Sequence, residues 1–177
     1  MVNLDPTKNI SIQTSIDGNY KTFNNELLLP PVIQRIALIT APNSDGQRDF
    51  TQETEKNKFN YCFSTTQFLT QIQGDEAHNF ILQKLHEIER IKGEFDAVVI
   101  VRGGGSQMDL KTFDDYELSK RIALFPIPIF TGIGHDRNTS IADLMARQHK
   151  TPTKVATAII EHNYELRNET LDFETRF

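Results

Sequence analysis

Apolar residues along this chain come in short blocks at regular intervals, separated by turn-rich polar stretches. "RIALIT" (35–40) is a compact apolar run ended by "APNSDG", which predicts a strand followed by a loop. "DFTQETEKNKF" (49–59) predicts a modest helix, and "NYCFSTTQFLT" an aromatic strand near 60–66. "GDEAHNFILQKLHEIERIKG" (74–93) is the clearest helix: Phe80, Ile81, Leu85 and Ile88 fall on one stripe, acids occupy the first turn and Gly93 ends it. "FDAVVIV" (95–101) predicts a buried strand, "TFDDYELSKRIALF" (112–125) a helix, and "IPIFTGIG" (127–134) another strand. "TSIADLMARQ" (139–148) opens a further helix, with Thr139 or Ser140 as its cap.

Strand and helix thus alternate four times. That order predicts an α/β fold, an open, mostly parallel, Rossmann-like sheet with helices on both faces. Residues 1–34 are polar and weakly periodic and read as an arm or linker; 35–151 form the α/β body. After Pro152 the chain holds helix formers to Phe177. There Val155, Ile159, His162, Leu166, Phe173 and Phe177 are spaced by four, three, four, seven and four. This is close to a heptad seam, so 152–177 is expected to begin a longer helical region that continues past the end of this sequence.

Parallel sheets place ligands beyond the carboxyl ends of their strands. Three polar or glycine-rich stretches follow strands and are expected on that one edge: "APNSDGQRD", "RGGGSQMD" and "GIGHDRNT". In the second, Met108 breaks the G-x-G-x-x-G spacing and no G-K-[ST] follows, so neither nucleotide fingerprint applies. Gly103, Gly104 and Gly105 can still expose successive N–H groups as an anion nest near the helix at 112–125, with Arg102 adding a planar cationic fork. The bland reading is a glycine turn with Arg102 in a salt bridge. His135, at the tip of the third loop, suits a general acid or base, or simply shapes the loop. Asp49 and Asp143 suit orienting that imidazole, holding a cation or capping a helix. Ser106 lacks the G-x-S-x-G context of a nucleophile. No histidine pair, His78, His86, His149 and His162 included, has a metal-binding spacing.

Composition narrows the class. With 177 residues, 38% apolar and 24% charged, the chain fits one globular domain with some excess, and no run approaches a membrane span. The N-terminus has no positive region followed by an apolar stretch, so no signal peptide is expected. A lone Cys62 excludes an internal disulfide, reads as a small buried side chain, and fits a cytoplasmic location. Net charge is −5, against any broad electrostatic grip on nucleic acid. One exception is 135–154, where Arg137, Arg147, Lys150 and Lys154 face only Asp136 and Asp143, a net +2 that suits a phosphate track or an ordinary solvated surface.

"VVIVRGGGSQMDLKTFDDYELSKRIALFPIPIFTGIGHDRNTSIADLMARQHKTPTKVA", with "LPPVIQRIALITAPNSDGQRDF" and "QIQGDEA" upstream, strongly resembles the catalytic domain of the bacterial exodeoxyribonuclease VII large subunit over roughly 27–160. The resemblance implies an exonuclease that hydrolyses phosphodiester bonds of single-stranded DNA from both ends to short oligonucleotides, without a divalent metal or other cofactor. It also implies an OB-type DNA-binding domain before this piece and a helical region after it that gathers small subunits, and it leaves self-association open. The family's important positions fall on Asp49, Arg102 and His135. One departure stands out: Asn138 occupies the place of the usual aspartate three residues after the histidine. An amide donates and accepts hydrogen bonds but is no base. Asp136 or Asp143 substitutes, or the base is not a carboxylate, or the site is impaired.

On this reading the glycine loop and Arg102 hold the scissile phosphate, Ser106 and Asn138 add contacts, and His135 moves a proton, oriented by Asp49 or Asp143. The rival expectations are a metal-dependent phosphoesterase using Asp49, Asp143 and His135, and a non-enzymatic domain that binds a phosphorylated ligand or scaffolds an assembly.

Overall fold

The computed structural model describes residues 23–103, 110–133 and 139–175. Strands β1 (Arg35–Thr40), β2 (Ser64–Leu69), β3 (Ala97–Val101), β4 (Ile129–Gly132) and β5 (Arg147–Gln148) form one sheet in the order β2-β1-β3-β4-β5. Every pairing is parallel. Helices α1 (Asp45–Glu55), α2 (Ala77–Arg90), α3 (Tyr116–Ala123) and α4 (Ile141–Met145) make the connections, and α5 (Pro152–Thr175) follows β5. The α/β expectation holds, with the strand order reversing between β1 and β3.

Strand alternation builds the two cores. Ala37, Ile39, Val98, Ile100 and Ile129 point to one face, where Ile81 and Leu85 of α2, Leu118 and Ile122 of α3 and Ala142 of α4 cover them. Ile36, Leu38, Ala97, Val99 and Phe130 point to the other, under Phe50 of α1 and Val155, Ala156 and Ile159 of α5. Because both faces are covered, β1 and β3 are nearly continuous apolar runs.

Several boundaries differ from the sequence reading. The first helix starts at Asp45, because Ser44 caps it by accepting from the Gln47 N–H at 3.1 Å. Asp49 therefore lies within α1 rather than ending the loop. The second strand begins at Ser64. Asn57 folds the approach to it into a turn, its Nδ2 donating to the carbonyls of Thr54 (2.7 Å) and Tyr61 (2.9 Å) while its Oδ1 accepts from Tyr61 N–H (2.9 Å). Cys62, expected inside, is exposed on that approach. In α2 the buried stripe is Ala77, Ile81, Leu85 and Ile88; Phe80, about 100° round the helix from Ile81, is turned outward. The helix expected over 139–148 is confined to Ile141–Met145, and Arg147–Gln148 becomes edge strand β5 instead. Pro152 opens α5 with Thr151 accepting from the Lys154 N–H at 3.2 Å. Its first seam residues, Val155 and Ile159, pack into the sheet core.

The segment before β1 is anchored through side-chain amides. Asn163 of α5 pairs with both the N–H and the carbonyl of Ile33, each at 2.9 Å. Asn24, fully buried, donates to the carbonyls of Phe125 (3.0 Å) and Ile127 (2.7 Å) and accepts from Ile129 N–H (2.7 Å). Asn24→Ala strands those main-chain groups in the interior, so we expect it to lose about 2–4 kcal/mol of stability. Urea titration reads this as an earlier midpoint at unchanged slope; an unmoved midpoint would mean the anchor is not needed.

Among the described residues no helix is long and apolar enough to cross a membrane.

Candidate functional site

The connections leaving β1, β2 and β3 meet at the carboxyl edge, where the strand order reverses. Between them lies a cleft of about 730 Å³ lined by Ala41–Asp45 and Arg48, by Leu69–Gln73 and by Val101–Gly103. Doubly wound sheets bind ligands at this place in the topology.

The loop after β1 is shaped by its own polar groups. Asn43 adopts a left-handed conformation (φ 56°), and its N–H donates to Gln47 Oε1 at 2.7 Å. Together with the Ser44 cap this locks the first turn of α1 against the cleft. Arg48 on the next turn ion-pairs with Asp45, and both side chains are largely exposed at the rim.

Arg102 is the buried cation of the cleft, only 6% exposed. Its N–H donates to the Gly132 carbonyl at 3.2 Å, extending the β3–β4 ladder by one residue. Its guanidinium is oriented by Gln73, whose amide oxygen, placed to satisfy both groups, accepts from Nε at 2.6 Å and Nη2 at 3.1 Å. These two bonds fix the plane of the guanidinium.

Gly103 meets the first turn of α1 backbone to backbone. A Cβ on Gly103 would sit 2.7 Å from Gly46 N, and one on Gly46 would sit 2.6 Å from Gly103 N. Glycine is required on both sides of this contact. The N-terminus that Gly103 approaches is thus that of α1, whereas the sequence had pointed to the helix at 112–125.

Asp143 is wholly buried, and its carboxylate is fully engaged. Oδ1 accepts from Thr131 Oγ1 (2.7 Å), and Oδ2 from Ser140 Oγ (2.8 Å) and Ser140 N–H (3.2 Å). Ser140 in turn accepts from Asp143 N–H, completing a capping box. Thr131 and Ser140 flank the stretch that carries His135 and Asn138, so one carboxylate ties both of its stems. His135, Asn138, Gly104, Gly105 and Ser106 themselves lie outside the described residues. Asp49 is exposed one turn beyond Asp45 on the same side of α1 and does not line the cleft.

Along the basic strip, Arg147 donates from Nη2 to the Leu27 carbonyl. His149 donates its N–H to the Thr131 carbonyl at 2.8 Å and stacks on Phe130 with ring centroids 6.0 Å apart. Burial, and secondarily the charge of Arg147, hold the imidazole pKa below its usual value. The folded state then binds fewer protons than the unfolded chain between the two pKa values. Stability from this group is complete above roughly pH 6.5 and is lost as pH falls through the lowered folded value. Urea midpoints from pH 8 to pH 5 are expected to fall less steeply in His149→Gln than in the parent; parallel curves would refute this.

Gln73, Ser44, Gly46, Arg48 and Leu69 were not anticipated. With the second strand placed too early, residues 69–73 did not register as a loop on the carboxyl edge.

The family model described as "Exonuclease VII, large subunit" matches residues 22–177. The chain belongs to this family. The exodeoxyribonuclease 7 large subunit of Ligilactobacillus salivarius is 36% identical over 138 residues, covering 76% of this chain and 30% of that protein. Those of Lacticaseibacillus casei and a Synechococcus species are each 33% identical over 136 residues, covering 76% and 74% of this chain and 30% and 33% of theirs. The chain therefore spans about a third of the length of these curated relatives.

Proposed function

We propose that this chain supplies the catalytic part of an exodeoxyribonuclease that hydrolyses phosphodiester bonds of single-stranded DNA from both ends, releasing short oligonucleotides. One observation carries the reading: a buried, Gln73-oriented Arg102 beside glycine backbone, at the sheet's switch point, in a chain of the exonuclease VII large-subunit family. Arg102 clamps the non-bridging oxygens of the scissile phosphate, and the N–H groups of Gly103–Gly105 receive the charge that develops in the transition state. His135 exchanges a proton with the attacking water or the departing oxygen. Asp143 acts through the stems it ties, since both its oxygens are committed. Asp49, exposed on α1 one turn beyond the cleft-lining Asp45, is proposed to orient His135. Ser106 and Asn138 contribute hydrogen bonds to the strand.

The reaction is proposed to run without a divalent ion, with the guanidinium and peptide dipoles carrying the phosphate charge. DNA capture and assembly with a small subunit are proposed to draw on α5 and, in the longer relatives, on the two thirds of their length that the match does not cover. Digestion of end-labelled single strands by the reconstituted enzyme in excess EDTA tests this. Undiminished cleavage is expected; cleavage that appears only on adding Mg²⁺ or Mn²⁺ would contradict it.

A further inference from the structure

The cleft has a second end that the phosphate chemistry does not use. Leu69 closes β2 and is 42% exposed, although the rest of that edge strand is mainly polar. Single exposed leucines are unremarkable on protein surfaces. This one shares a concave wall with Pro42 and Ala41 from the loop after β1, in the same cleft as Arg102 and Gly103.

The register gives the scale. Leu69 pairs with Thr40, and Ile39 with Ile100, so β1 lies between the end of β2 and the residue that becomes Arg102. The backbones of β2 and β3 stand two strand spacings, about 10 Å, apart, with the cleft between the loops that follow them. That is the reach from a phosphate across its sugar to its base.

Resting on the exonuclease reading above, we infer that the Leu69–Pro42–Ala41 wall is a nucleobase subsite, taking the base of the nucleotide whose phosphate Arg102 holds. The wall reads presence of a base rather than its identity. Two of the polar side chains beside it are engaged: Gln73 orients Arg102, and the Gln71 amide donates to the Gln73 carbonyl at 2.6 Å. Apolar contact is common to all four bases. A chain with net charge −5 gains here a contact that does not depend on its electrostatics.

The test uses the reconstituted enzyme and an end-labelled single strand carrying one tetrahydrofuran abasic residue, with cleavage mapped position by position. The parent enzyme is expected to cut at the phosphate adjoining the abasic residue about tenfold less than at the same phosphate of the intact strand, a loss on the scale of one buried apolar contact. Exchanging the base at that position among A, C, G and T should change cutting by less than about threefold on the same scale. Leu69→Ser is expected to bring the intact-to-abasic ratio near one by slowing cleavage of the intact strand. Equal cutting of intact and abasic positions by the parent, or a ratio unchanged in Leu69→Ser, would overturn the subsite. Failure of the parent to cut the intact strand at all would instead overturn the exonuclease reading.

Discussion

Arg102→Ala in the reconstituted enzyme is expected to lower kcat on single-stranded DNA by about 10²–10³-fold, the usual loss when a preorganised transition-state donor is removed. Arg102→Lys should recover little of this. Lysine keeps the charge but presents a point ammonium, whereas Gln73 is placed to hold a planar fork by two of its nitrogens. With the guanidinium proposed to act on the transition state more than on the bound strand, the fall should be in kcat, with KM changed far less. The variants are expected to remain folded, since Arg102 sits at the end of β3 and its main-chain bond to Gly132 survives substitution. Single-turnover cleavage with circular dichroism as a control decides it. Near-parent turnover in a folded Arg102→Ala enzyme would remove the arginine from the chemistry.

The second large effect is on stability and is expected at Asp143. Asp143→Ala leaves Thr131 Oγ1, Ser140 Oγ and Ser140 N–H without their acceptor in a fully buried position. Bonds to a charged acceptor are the stronger kind, and the capping box is lost with them. A cost of about 3 kcal/mol is expected, or roughly 6–12 °C in melting temperature for a chain of this size. Asp143→Asn keeps the shape and one acceptor oxygen and should cost about half as much. Activity assayed well below the melting transition should also fall, because the stems of the His135-bearing stretch are no longer tied. A folded, destabilised Asp143→Ala enzyme that cleaves at the parent rate would show that the carboxylate serves stability alone.

These two residues mark what the sequence makes legible. The doubly wound sheet follows from alternating strand and helix periods, which are local signals repeated along the chain. Arg102 is visible because it stands between a buried strand and three glycines, and the capping box at Ser140–Asp143 is a local motif. What the sequence hides is tertiary. Nothing near Asp143 announces Thr131, and nothing near Arg102 announces Gln73, because Thr131 arrives from β4 and Gln73 from the loop after β2. The reciprocal need for Gly46 and Gly103 is likewise a property of two backbones meeting, not of either segment. Phe80 was misjudged for a different reason: α2 has enough apolar residues that two stripes are consistent with its pattern, and only the sheet beneath it chooses between them. The Asn57 turn displaced the second strand because side-chain-to-backbone bonds overrode aromatic β-propensity.

The phosphate of the DNA strand is expected to dock in the cleft between residues 41–48 and 69–73. A structure of the reconstituted enzyme with a non-hydrolysable phosphorothioate single strand tests it most directly. A phosphate is expected within hydrogen-bonding distance of the Arg102 guanidinium and the Gly103 N–H, with the adjoining base against Leu69. A strand bound along another face, with this cleft empty, would contradict it.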